Sequence, residues 1–160
     1  MESKIDLSTS ILLEELDAVQ YHNQLLSTNK EMPLEACVAD EFTNQVTQDW
    51  LRDALISLDW PTKGRADRVL EVLAGYGRNY SVLAKMFRNI EMLDGSEEMV
   101  KRMPDGVTKY QQYIENFKWP DDHYDCVVGV WCLCYLKGVA VENALAGMEK
   151  SIKEIGYIIL

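Results

Sequence analysis

With 160 residues, 48% of them hydrophobic, the chain can bury one core, and it has no apolar run of about 18 residues to span a membrane. A formal net charge of −10 argues against nucleic acid as the main partner, because phosphate-backbone affinity rests on Lys and Arg. Met1 to Asp6 lacks the basic and then apolar regions of a secretory leader, and four cysteines without a spaced framework read as reduced thiols, so the expected location is intracellular and cytoplasmic.

The charge is unevenly spread: residues 1–60 hold 12 acidic and 3 basic side chains, residues 61–160 hold 14 and 13. This shift, near Trp60-Pro61-Thr62-Lys63-Gly64, divides the chain into an acidic helical N-terminal extension (1–60) and an α/β part (61–160). In the extension, Ile11, Leu12, Leu16, Val19, Leu25 and Leu26 predict one helix. Phe42, Val46, Trp50, Leu51, Leu55 and Leu58, at three- and four-residue spacings, predict a second. Helices capping a sheet account for this pattern better than a separate interaction module.

From Arg65 onward strand and helix alternate. Strands are predicted at Val69–Leu73, Ile90–Leu93, Lys109–Ile114, Tyr124–Val130 and Tyr157–Leu160, with helices at Asn79–Phe87, Ser96–Met103 and Val141–Lys153. Ser96 caps its helix, Glu97 and Glu98 fill the first turn, and Pro104-Asp105-Gly106 ends it. Such alternation implies an α/β fold with a mostly parallel sheet, helices on both faces and right-handed crossovers.

The first strand runs into Glu71-Val72-Leu73-Ala74-Gly75-Tyr76-Gly77-Arg78, and the second ends at Asp94-Gly95-Ser96. In an α/β sheet the ligand crevice lies at the carboxyl ends of the strands, so the glycine loop and Asp94 would meet one ligand there. Glycine lets the main chain approach that ligand closely, and a carboxylate can accept from two ribose hydroxyls. A dinucleotide fingerprint would need a third glycine where Tyr80 stands, and Gly-Lys-Ser/Thr of a P-loop is absent. The half-site is therefore for a nucleoside rather than for phosphates.

Acidic-x-x-x-Gly-x-Gly followed by Asp-x-Ser-x-x-Met resembles the class I S-adenosylmethionine-dependent methyltransferases, over roughly residues 68–160. The resemblance implies a Rossmann-like sheet lacking its last strands, with S-adenosylmethionine as cofactor. It implies that Glu71 organises the amino-acid end of the cofactor, that Gly75 and Gly77 are the second and third glycines of its loop, and that Arg78 pairs with its carboxylate. Two parallel charge-assisted bonds suit a guanidinium to that pairing. Asp94 would take the ribose hydroxyls, Gly95 would permit close approach, and Ile114 and Glu115 would hold the adenine. Leu73 stands at the first glycine position, where its isobutyl group either crowds the loop or points into the core. Each polar residue also has a plainer reading: a solvated strand end for Glu71, a turn cap for Asp94, a surface arginine for Arg78, an exposed loop glutamate for Glu115.

Within the family, Trp119-Pro120-Asp121-Asp122-His123-Tyr124-Asp125 through Trp131 to Leu136 is similar to a segment of the enzymes that methylate the α-amine of Xaa-Pro-Lys protein termini. Tyr124, Asp125, Trp131 and Leu136 match, and Trp131 and Tyr135 become candidate substrate-binding residues. Val130 replaces a glutamine, and Tyr135 replaces a histidine credited with accepting the amine's proton. A phenol titrating near 10 is a poor base at neutral pH, so no catalytic residue is assigned. Cys132 and Cys134 lack a second ligand pair, so no metal is expected. His123 is read as lying in an exposed turn, and His22 as having no partner.

These readings support a methyltransferase acting on a protein amino terminus or another nucleophile. The alternative is a methyltransferase-like subunit without turnover that serves as a scaffold in a larger assembly. The family's domain continues past the fifth strand with a helix and an antiparallel hairpin, whereas this sequence stops at Leu160. A protein partner or a further segment is accordingly expected to cover the last strand.

Overall fold

The computed structural model describes residues 41–58, 60 and 66–160. The helix predicted around residues 11–26, with His22, lies outside them. Five strands, β1 (Ala66–Val72), β2 (Phe87–Asp94), β3 (Thr108–Gln111), β4 (Tyr124–Val128) and β5 (Ile152–Ile159), form one sheet in the order β3-β2-β1-β4-β5. All four pairings are parallel. The helices are α1 (Glu41–Ser57), α2 (Tyr80–Met86), α3 (Glu97–Arg102) and α4 (Val139–Ser151).

Both faces of the sheet are covered, which explains the near-continuous apolar run in β1. Successive strand residues point to opposite faces. Val69, Ile90, Met92, Cys126 and Val128 join one buried cluster with Leu51 and Leu55 of α1 and Val82 and Leu83 of α2. Leu70, Val72, Leu93 and Val127 join a second with Ala144 and Met148 of α4 and Ile114. Helix α1 is thus built into the sheet's own core. In α4, Gly147 admits the Trp119 ring, since a Cβ there would come within 2.3 Å of it.

Several boundaries differ from the sequence reading. β1 begins at Ala66 because Ala66 and Arg68 pair with Phe87 and Asn89. Phe87 starts β2 instead of ending a helix: its side chain is fully buried and meets the Trp60 ring edge-on at 5.4 Å. β3 stops at Gln111, and Ile114 belongs to a 3-10 turn over Ile114–Asn116. β5 begins at Ile152, directly after α4, where it pairs with Tyr124.

Two carboxylates, Asp125 near the start of β4 and Glu91 in the middle of β2, fasten the strands to one another. Asp125 Oδ2 accepts from the backbone N–H of Asp67 at 3.1 Å and of Arg68 at 2.7 Å, while Oδ1 receives Lys153 Nζ at 3.0 Å. One side chain therefore ties β4 to β1 and β5. Glu91, 7% exposed, accepts from the Tyr110 and Tyr124 hydroxyls at 2.9 and 3.0 Å, with Arg68 Nε 3.7 Å away. His123 belongs to this cluster, contacting Arg68 and standing 3.9 Å from Glu91, so the exposed turn expected for it is corrected. Asp125→Ala should lower stability by about 2 to 4 kcal/mol, since two N–H groups and an ammonium lose a largely buried acceptor. Urea denaturation checks this; a loss below about 0.5 kcal/mol would mean that water replaces the carboxylate.

Candidate functional site

The order of strands reverses between β1 and β4, and the crevice opens at their carboxyl ends, as in doubly wound sheets generally. The loop after β1 is shaped by three left-handed residues: Leu73 (φ 48°), Gly75 (φ 57°) and Gly77 (φ 83°). Ala74 N–H donates to Leu93 O and Gly77 N–H to Ala74 O, both at 3.0 Å. Asp94 completes the turn, its Oδ2 accepting from Gly75 N–H and its Oδ1 from Ser96 N–H, both at 2.8 Å.

The two glycines serve different ends. A Cβ on Gly75 would meet nothing within 4 Å, because this position faces the open crevice. On Gly77 it would lie 2.7 Å from Pro104 Cδ and 3.0 Å from Met92 Sδ. Gly77 lies outside the crevice and lets the loop pack closely on β2 and the turn after α3.

Two adjoining clefts make up the crevice. The first, about 230 Å³, is lined by Leu73, Asp94, Gly95, Ile114, Glu115 and Tyr135, among others. The second, about 340 Å³, is lined by Glu71, Leu73, Gly75, Arg78, Trp131 and Tyr135, among others. Of the ten expected binding residues, nine therefore line one cleft or the other, with Gly77 the exception. Within the first cleft Ile114 is buried and Glu115 exposed. Trp131, 61% exposed with φ 62°, stands at the mouth of the second. Beyond it, an apolar groove of about 380 Å³ runs between Val46, Trp50, Trp131 and Leu160.

Some contributors escaped the sequence reading. Thr43 of α1 lines the second cleft, Asn44 Oδ1 accepts from Arg78 at 3.3 Å, and Gln48 Nε2 donates to Arg78 O at 2.6 Å. The helical periodicity placed α1 but gave no sign that its polar positions reach the glycine loop. Asn79 was read only as the start of a helix. Its side chain does not cap α2; Nδ2 instead donates to Glu71 Oε1 at 2.7 Å. An amide eight residues after the strand-end carboxylate was the available signal.

Glu71 is 2% exposed, and burial is the main cause that pushes its carboxyl up to about 7; the Asn79 bond and the Arg78 charge oppose this, and Asp94 adds to it. Among the described residues, Glu71 Oε2 and Asn79 Oδ1 are buried without a hydrogen-bond partner. Both residues line the second cleft, where an unpaired buried acceptor costs about 1 to 3 kcal/mol.

Residues 69–156 match the methyltransferase domain family. The chain belongs to that family. No curated protein matches it. Among solved structures, a Leishmania major S-adenosylmethionine-dependent methyltransferase of the DUF858 family has a TM-score of 0.71 at 22% identity, covering 86% of this chain and 58% of that one. Haemonchus contortus phosphoethanolamine N-methyltransferase 1, in complex with phosphoethanolamine and S-adenosylhomocysteine, has a TM-score of 0.61 at 20% identity, covering 88% and 32%. The methyltransferase in a Haloferax volcanii complex with the Trm112 methyltransferase activator has a TM-score of 0.56 at 20% identity, covering 74% and 55%. The chain thus has the expected Rossmann-like fold, and it spans 58% of the length of the Leishmania protein. Its residues fit S-adenosylmethionine: the orphaned Glu71 and Asn79 oxygens match an ammonium, and the open face of Gly75 leaves room beside Asp94.

Because the folded chain holds the Glu71 proton more tightly than the unfolded chain does, this group's contribution to stability declines as pH rises from about 4.5 to about 7. Glu71→Gln cannot ionise and should flatten that part of the curve of urea midpoint against pH. A curve left unchanged by the substitution would show that the carboxyl titrates alike in the folded and unfolded chains.

Proposed function

We propose that the chain binds S-adenosylmethionine across the two clefts and belongs to an enzyme that methylates an amine, with a protein amino terminus as the substrate. The observation that carries the cofactor reading is the pair of buried acceptors, Glu71 Oε2 and Asn79 Oδ1, in the same crevice as Asp94. In this reading Glu71 and Asn79 receive the cofactor's ammonium, and Arg78, steadied by Asn44, faces its carboxylate. Asp94 orients the ribose, and Ile114 and Glu115 take the adenine. An ionised carboxylate has about four acceptor positions, so the two N–H bonds at Asp94 are compatible with further donors.

The cofactor supplies a sulfonium-bound methyl group, so the protein's contribution is position rather than bond activation. With the cofactor bound, a neutral amine would enter between Trp131 and Tyr135 to meet the methyl group the cofactor supplies, and the amine's proton would leave to water. Trp131 and Tyr135 flank the entry, and the apolar groove along Trp50 gives the rest of the substrate a surface. The match of Tyr124, Asp125, Trp131 and Leu136 to the segment of α-N-terminal methyltransferases supports the choice of amine.

A second reading, a subunit without turnover in a larger assembly, is favoured by Leu73 in the glycine loop and by the exposed apolar residues Ile155, Ile158 and Leu160 at the outer strand. Among the described residues β5 pairs only with β4, leaving an edge suited to a strand from a partner protein or a further segment. An intracellular location remains part of the proposal; among the described residues no helix is long and apolar enough to cross a membrane.

Calorimetry with S-adenosylhomocysteine tests the cofactor reading. Asp94→Ala should weaken binding by at least about tenfold, as bonds to a charged group contribute on the order of 1.5 to 3 kcal/mol each. Asp94→Asn, which keeps one acceptor oxygen for the loop, separates ligand loss from loop collapse. No binding by the unmodified chain would defeat the reading, and equal affinity in all three proteins would move the ribose elsewhere.

A further inference from the structure

Leu73 and Tyr135 are the two residues that line both clefts. Leu73 is also held at φ 48°, a left-handed backbone that an L side chain with a Cβ rarely adopts. Its side chain is partly buried against the cluster of Leu70, Val72, Leu93 and Ile114, so packing holds it at the boundary between the clefts. On one side lie Asp94, Ile114 and Glu115; on the other lie Glu71, Gly75, Arg78 and Asn79. A ligand that reaches both sets must pass the Leu73–Tyr135 boundary, whereas one that stops at a ribose need not.

Resting on the cofactor reading, we propose that Leu73 is a specificity-determining gate: it leaves the nucleoside cleft open to adenosine while making entry of the amino-acid arm depend on displacement of its side chain. The penalty falls on the full cofactor alone. If the displaced conformation makes up roughly a tenth of the population, the apparent affinity for the full cofactor is roughly tenfold below the intrinsic one, and adenosine is unaffected. The chain is thereby biased toward nucleosides relative to a site whose two halves are continuous.

The test is to measure binding of adenosine and of S-adenosylhomocysteine to the full chain and to Leu73→Ala and Leu73→Gly by calorimetry. Thermal unfolding of each protein with and without ligand is followed alongside. Both variants should raise S-adenosylhomocysteine affinity roughly tenfold relative to adenosine affinity. Leu73→Ala retains the left-handed strain and removes the obstruction, so tightening in Leu73→Gly alone would assign the effect to the backbone and overturn the gate. Unchanged or weaker S-adenosylhomocysteine binding, with adenosine still bound, would also overturn it and leave the cofactor reading standing. Absence of binding by either ligand to all three proteins, each still unfolding cooperatively, would remove the cofactor reading and the gate together. Adenosine binding serves as the internal control that a variant has kept its cleft.

Discussion

The carboxylate of Asp94 is the interaction on which the crevice depends. Its two oxygens take one N–H from the loop after β1 and one from the turn that starts α3, both at 2.8 Å. Strand pairing already aligns the ends of β1 and β2, and this side chain converts that alignment into a fixed cavity wall. Three left-handed residues in the seven-residue loop 73–79 are held by this network, with Ala74, Gly75 and Gly77 donating to Leu93 O, Asp94 Oδ2 and Ala74 O. The strain at Leu73 is stored by the same network.

The sheet treats buried charge in two ways. Asp125, near the start of β4, and Glu91, in the middle of β2, sit among donors on neighbouring strands: two backbone amides and an ammonium for the first, two phenols with a guanidinium nearby for the second. These carboxylates are structural, and their burial is offset within the fold. At the crevice, Glu71 is buried with one oxygen bonded to Asn79 and the other, among the described residues, without a donor. Folding alone does not offset that burial, which is why the carboxyl is pushed up to about 7.

Helix α1 joins these two themes. Its apolar side, with Leu51 and Leu55 fully buried, belongs to the sheet's core, and its polar side reaches the crevice through Thr43, Asn44 and Gln48. A helix whose chain segment stands out as acidic by composition is therefore a wall of the site. The outer strand at the other side of the crevice is less finished: Ile155, Ile158 and Leu160 are exposed, and Leu160 faces Trp50 and Trp131 across the apolar groove.

The sequence alone was enough for the alternation of elements, the parallel sheet, the glycine loop and the strand-end carboxylates Glu71 and Asp94, because each leaves a local mark: period-two or period-3.6 hydrophobicity, or a glycine next to an acid. It misplaced boundaries at Ala66, Phe87 and Ile152, where pairing with a strand distant in the chain overrides local propensity. It read His123 as a turn residue because nothing near it in sequence reveals Glu91 and Arg68 beside it in space. It also grouped Gly75 with Gly77, which the fold separates into a crevice wall and a packing contact with Pro104. What the sequence by itself determined was the order of elements and the position of the glycine loop beside two strand-end carboxylates. Only the tertiary structure decided that Asn79 turns to Glu71, that α1 closes the second cleft and that Leu73 stands between the two halves, because those facts depend on which distant backbones come within a few ångströms of one another.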